Sequence, residues 1–279
     1  MRFSKIVLAA LAATATPAFA QEETAPPEPI TVSGSASITS DYRFRGVSQS
    51  DKEVAVQGGI TVAHESGFYV GAWGSNLAGW GTFGGANLEL DLIGGFKTTV
   101  GNATVDAGVT WYMYPGGADE TDFAEFYAKL SGTAGPATLT AGVFYAPAQE
   151  ALGRWYFTGA DAVAGVYNDP GDKEDNLYLS GDGTVGVPTT PVTLKAHIGF
   201  SSGNAGLGPN GTSVAPTGEY WDWLLGADVT FKGLTLGVAY VDTDISNREA
   251  AYLQPNFSKT TNGSPIGAST AVVSLTAAF

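Results

Sequence analysis

The chain has 279 residues, with 27 acidic and 13 basic side chains and a formal charge of −14. So acidic a surface argues against nucleic acid as a partner, because phosphate binding needs a basic face. The absence of cysteine excludes a disulfide framework, a thiolate metal site and a cysteine nucleophile.

The first segment reads as an export signal. Arg2 and Lys5 precede an apolar run from Ile6 to Ala15, and Ala18-Phe19-Ala20 is a small-x-small cleavage pattern. Residues 1–20 are therefore expected to be a cleaved signal peptide; the run is too short for a membrane helix, which needs about 20 apolar residues. Residues 21–31, which open on the acidic, proline-rich QEETAPPEPI, read as a disordered periplasmic tail. Residues 32–279 read as one β-domain. Charged residues make up only 14% of the chain, against about 25% in a soluble domain. With 44% hydrophobic residues and 38 glycines, that balance favours a barrel bathed in lipid over a secreted β-sandwich.

Alternation starts at Val32. Val32, Gly34, Ala36, Ile38, Tyr42 and Phe44 fall on one face, and Ser33, Ser35, Ser37, Thr39, Asp41 and Arg43 on the other. Period two with a fully polar face describes a strand whose two sides meet different solvents. Twelve such segments are predicted, near 32–44, 54–64, 67–76, 87–96, 102–113, 122–131, 137–146, 175–183, 191–201, 219–231, 233–242 and 269–279. Most come close to the 9–11 residues a tilted membrane strand requires. The third and eighth alternate poorly. Connections after the even segments are short and those after the odd ones mostly longer, 147–174 and 243–268 being the longest. This is the topology of a transmembrane antiparallel barrel of outer-membrane type, with both termini periplasmic.

Aromatic side chains are expected in two girdles. Tyr42, Phe44, Trp111, Tyr145, Phe200, Trp221, Trp223 and Tyr240 fall at the outer strand ends, and Phe68, Phe96, Phe231 and Phe279 at the periplasmic ends; Phe126 lies nearer the middle. The chain closes on an alternating strand ending in Phe279, which resembles the terminal signal read by the barrel-assembly machinery of Gram-negative bacteria.

The block Ser40-Asp41-Tyr42-Arg43-Phe44-Arg45-Gly46-Val47-Ser48-Gln49, with Ala55, Gln57 and Gly58-Gly59, resembles the opening signature of the TorF porin family. Glu65-Ser66-Gly67-Phe68-Tyr69-Val70-Gly71 with Trp73 and Ser75-Asn76, Glu89-Leu90-Asp91, Trp111-Tyr112-Met113-Tyr114-Pro115 and Phe123-Ala124-Glu125-Phe126-Tyr127 are similar to it as well. The resemblance is dense over 36–131 and looser from 137 onward. It implies an outer-membrane barrel and leaves the substrate open.

On this register Asp41, Glu89, Asp91, Asp106, Glu125, Asp222 and Asp228 point inward, against Arg43, Lys129 and Lys195. Glu89, Asp91, Asp106 and Glu125 come from consecutive segments, so an acidic wall that favours cations is one expectation. The other is a sealed polar core in which lysines neutralise it. Arg43 and Arg45 belong either to a selectivity ring or to ion pairs that pin the first external loop; the second is favoured because buried cations need partners. His197 is expected near Asp222, where a His–Asp pair is able to hold a general base, yet no nucleophile accompanies it. The chain thus reads as a non-enzymatic porin that passes small polar solutes or ions, with weak cation selectivity, in contact with outer-membrane lipid. No cofactor or metal is expected, and homo-oligomerisation stays open. The alternative is a closed barrel whose external loops bind a partner.

Overall fold

The computed structural model describes residues 29–79, 85–211 and 213–279. The signal peptide and most of the tail expected before Val32 lie outside the described residues, and β1 begins at Ile30. In chain order the strands are β1 (Ile30–Thr39), β2 (Arg43–Phe44), β3 (Val47–Ser48), β4 (Ala55–His64), β5 (Phe68–Asn76), β6 (Leu88–Val100), β7 (Ala103–Met113), β8 (Phe123–Ala134), β9 (Ala137–Gln149), β10 (Glu174–Gly186), β11 (Val192–Ala205), β12 (Thr217–Phe231), β13 (Leu234–Thr243) and β14 (Thr270–Ala278). A short helix, α1 (Gly159–Ala164), sits between β9 and β10.

Among the described residues, all strands except β2 and β3 form one closed antiparallel barrel of twelve, in which β1 pairs with both β4 and β14. The fold class read from the sequence therefore holds. Closure leaves no unpaired edge, which is what a sheet surrounded by hydrocarbon requires. The turns follow the expected alternation, and Lys232 and Gly233 both take positive φ (48° and 80°) in the two-residue link from β12 to β13. That backbone matches the right-handed twist of a tight hairpin.

Side chains alternate as two solvents demand. Ile38, Val62, Leu92, Leu225, Leu236, Val238 and Leu275 stand exposed on the outer wall, an apolar belt of the kind transmembrane barrels carry. Trp111, Tyr145, Trp221 and Tyr240 are exposed toward one rim and Phe68, Phe231 and Phe279 toward the other. Phe68 packs on Phe96 at 5.0 Å and Phe200 on Trp221 at 4.9 Å between ring centroids. Phe279 seals the seam: its backbone exchanges hydrogen bonds with Gly34 (2.8 and 3.0 Å) and its ring covers the space a Cβ at Gly34 would take.

Two of the girdle aromatics are misplaced by the sequence reading. Tyr42 and Phe44 do not face outward, because β1 stops at Thr39 and the chain turns into the barrel. The turn is fixed by Asp41, whose carboxylate accepts from Ser48 Oγ (2.6 Å), Ser50 Oγ (3.3 Å) and Arg43 Nε (2.6 Å). Tyr42 then packs on inward-facing Trp73 at 5.5 Å, and Phe44 on Tyr112 at 5.9 Å.

Candidate functional site

Residues 40–54 form a plug. The small hairpin of β2 and β3 lies inside the half of the barrel away from the chain termini and touches strands on opposite walls. Two buried apolar clusters hold it. One gathers Leu77, Tyr112, Tyr114, Phe123 and Leu152 around Tyr42 and Phe44; the other gathers Val47, Tyr156, Leu207, Tyr220, Leu253 and Ile266. Loop 147–174 contributes Leu152 and Tyr156 to these clusters and so caps the plug rather than forming it.

Arg45 is the polar anchor. Its guanidinium pairs with Glu125 on β8, donates to Asn176 Oδ1 on β10 at 2.8 Å, and lies 4.1 Å above the Tyr178 ring. Tyr220 on β12 donates to the Arg45 carbonyl at 3.0 Å. Arg43 pairs with Asp41 and donates to the carbonyls of Gly46, Ile266 and Ala268 at 2.8–3.1 Å. Both arginines therefore pin the loop, as the ion-pair reading expects, and neither stands in an open ring. The loop between β13 and β14 clamps the plug at the mouth: Ser48 N donates to Ile266 O at 3.1 Å, and Lys259 Nζ meets Glu53 at 2.6 Å. The Glu53 hydrogen bond holds the Lys259 ammonium above its ordinary pKa.

At the tip, Gly46 has φ +78°, and a Cβ there would sit 2.5 Å from Thr243 Cγ2 and 2.8 Å from Asp222 Cβ. Glycine is required both for the backbone and for the approach. Gly46→Ala is expected to lift the plug off β12 and β13 and to raise the open probability of the barrel in a planar bilayer; unchanged gating would show that the tip contact is dispensable.

The expected acidic wall is broken into separate contacts. Glu125 is taken by Arg45. Glu89 and Asp91 are buried beneath the plug beside Tyr42 and Tyr114. Asp106 accepts from Tyr69 Oη at 2.6 Å and faces Lys97 and Lys129 on the flanking strands. Lys195 pairs with Asp228 at 2.6 Å. His197 does meet Asp222, at 3.1 Å through Nε2, and its Nδ1 lies 2.7 Å from Asp182. Tyr178 Oη bridges His197 Nε2 (2.9 Å) and Asp222 Oδ2 (3.0 Å).

Two charged groups on the interior wall were missed: Lys97 and Asp182. Strand β6 runs on to Val100 and carries Lys97 inward past its expected end. In β10 the outward positions Gly181 and Gly183 carry no side chain, so the apolar half of the alternation is silent around Asp182.

These features define a closed twelve-stranded antiparallel barrel with an apolar outer belt and a charged interior plugged by its own first loop. The chain belongs to the Gcw_chp family, described as bacterial protein of unknown function, whose model matches residues 23–279. No curated protein matches it. Among solved structures it is similar to a porin refined at 1.8 Å, at 11% identity over 90% of this chain and 100% of that one, with a TM-score of 0.42. It is also similar to OmpT of Vibrio cholerae carrying a loop deletion, described as an outer membrane protein, at 10% identity over 90% and 99% of the chains and a TM-score of 0.42. The translocator domain of the autotransporter NalP from Neisseria meningitidis gives 11% identity, 89% and 88% coverage and a TM-score of 0.44. The barrel assignment rests on the closed strand ladder itself.

Proposed function

We propose that the chain is a porin-type barrel of the Gram-negative outer membrane that passes small polar solutes or ions when its first loop leaves the lumen. The TorF resemblance belongs to this reading, as do periplasmic termini and assembly through the strand ending in Phe279. One observation carries the gate: a loop that crosses the bore and is fastened at its centre by an ion pair rather than by a covalent bond or a strand ladder. When the loop lifts, the charge pairs and side-chain hydrogen bonds exchange for bonds to water, and the two apolar clusters around Tyr42, Phe44 and Val47 come apart with them.

The interior supports weak selectivity. Arg45, Lys97, Lys129 and Lys195 offset much of the acidic charge, leaving a small excess of carboxylates. No reaction is assigned to the His197 cluster, since Asp182, Asp222 and Tyr178 occupy its ring nitrogens and no nucleophile stands within that group.

The test is single-channel recording of the refolded chain in a planar bilayer under a salt gradient. Long closed intervals broken by small, weakly cation-selective steps are expected. A large conductance that never closes would contradict the gate. Complete silence, in wild type and in variants with a loosened loop alike, would favour the closed barrel whose external loops bind a partner.

A further inference from the structure

Arg45 occupies a receptor that the barrel wall builds from its own strands. The guanidinium spans two of them: Nη2 meets the Glu125 carboxylate on β8, and Nη1 donates to Asn176 Oδ1 on β10 at 2.8 Å. The Tyr178 ring, also on β10, lies 4.1 Å from the guanidinium carbon. Each of these groups is held by other wall residues. Asn176 Nδ2 donates to Ser201 Oγ at 3.2 Å and to Ser202 O at 3.0 Å on β11, which leaves Oδ1 as the acceptor facing Arg45. Tyr178 Oη is fixed by Asp222 Oδ2 at 3.0 Å and His197 Nε2 at 2.9 Å. Tyr112 Oη on β7 donates to Glu125 Oε1 at 3.3 Å.

A lifted loop therefore takes away the cation and Phe44, whose ring lies 4.8 Å from it, and leaves the acceptors in place on ladder strands. Glu125, 2% exposed while the loop is docked, then stands without its counter-charge. The vacated geometry suits one kind of cation. A planar guanidinium reaches an amide oxygen and a carboxylate with two separate nitrogens while its face rests on an aromatic ring. An ammonium is a point donor and does not make all three contacts at once.

We propose that the wall receptor filled by Arg45 is a binding site for guanidinium-bearing solutes, and that such a solute opens the barrel by taking the place of Arg45. The inference rests on the porin reading and names a solute class together with what releases the loop. The solute binds the lifted state alone, because Arg45 fills the receptor in the docked one. Its differential affinity for the two states shifts the loop equilibrium toward the open barrel.

Saturation-transfer NMR on the full chain carrying Arg45→Ala, refolded in detergent micelles, reads the vacated receptor directly. Ethylguanidinium and butylammonium, each with one positive charge, are the probes. Ethylguanidinium is expected to bind about ten-fold more tightly than butylammonium, and Glu125→Gln in the same background is expected to remove about that factor. Heat-modifiable electrophoretic migration confirms that each variant is folded. A second measurement keeps Arg45 in place: maleimide labelling, in micelles, of Ser48→Cys, a position 1% exposed within the plug. Ethylguanidinium at about ten times its dissociation constant for Arg45→Ala is expected to speed labelling about ten-fold by mass action, and butylammonium at the same concentration about two-fold. Equal binding of the two probes, binding insensitive to Glu125→Gln, no binding at all, or labelling that ethylguanidinium does not speed would overturn the inference. Neither readout needs passage through the bore. A barrel that conducts but fails these tests would refute this inference alone, and one that passes them without conducting would refute passage alone.

Discussion

Arg45→Ala is expected to convert the barrel from mostly closed to mostly open in planar-bilayer recordings. The substitution leaves Glu125 buried, 2% exposed, without its cation, and removes the hydrogen bond to Asn176 and the stacking on Tyr178. Stripping one partner from a buried pair costs about 3–5 kcal/mol. Because the wall strands keep their ladder, that cost falls on the docked loop rather than on the barrel, and it shifts the docking equilibrium by about two to four orders of magnitude. Arg45→Ala with Glu125→Ala removes the orphaned carboxylate as well, and is expected to recover part of the closed population. Open probability that does not change in the single variant would show that the apolar clusters hold the plug by themselves.

The second large effect lies on the opposite face of the wall. Leu236 is 50% exposed, pairs with Val229 and Leu275, and belongs to the apolar belt of β13. Leu236→Arg is expected to destabilise the folded barrel in lipid vesicles by about 2–4 kcal/mol, the cost of a cation near the bilayer midplane. Reversible denaturant titration of the vesicle-inserted protein measures it. The inward neighbour Thr235, changed to Ser, is expected to cost little. An arginine tolerated at 236 would mean that this surface meets water, and would remove the membrane from the account.

The wall was legible in the sequence because each of its strands separates two solvents, and that requirement writes a period of two into the chain. Leu88, Leu90 and Leu92 against Glu89 and Asp91 is the clearest case, and the structure keeps that register. Turn lengths were legible for a related reason, since a tight hairpin such as Lys232-Gly233 leaves no room for extra residues.

The plug was not legible as a plug. Residues 40–44 continue the alternation of the first strand, so Tyr42 and Phe44 looked like girdle aromatics. What turns them inward lies outside the alternation: Asp41 is satisfied by Ser48 and Ser50 within the same loop, and Arg45 by partners 80 and 131 positions away. Local periodicity carries no record of such partners. The pairing of Glu125 was hidden for the same reason, because its cation arrives from a loop and not from a neighbouring strand.

The most direct test of a barrel sealed at its outer mouth is thiol labelling of intact cells with a membrane-impermeant maleimide. The chain has no cysteine of its own, so single introduced thiols report cleanly. Ser48 is 1% exposed inside the plug, while Asn247 lies exposed on the last external loop. Asn247→Cys is expected to label quickly and Ser48→Cys slowly, with Ser48→Cys becoming fast once Arg45→Ala is added. Labelling of Ser48→Cys as fast as Asn247→Cys in the otherwise unaltered chain would contradict a plugged lumen.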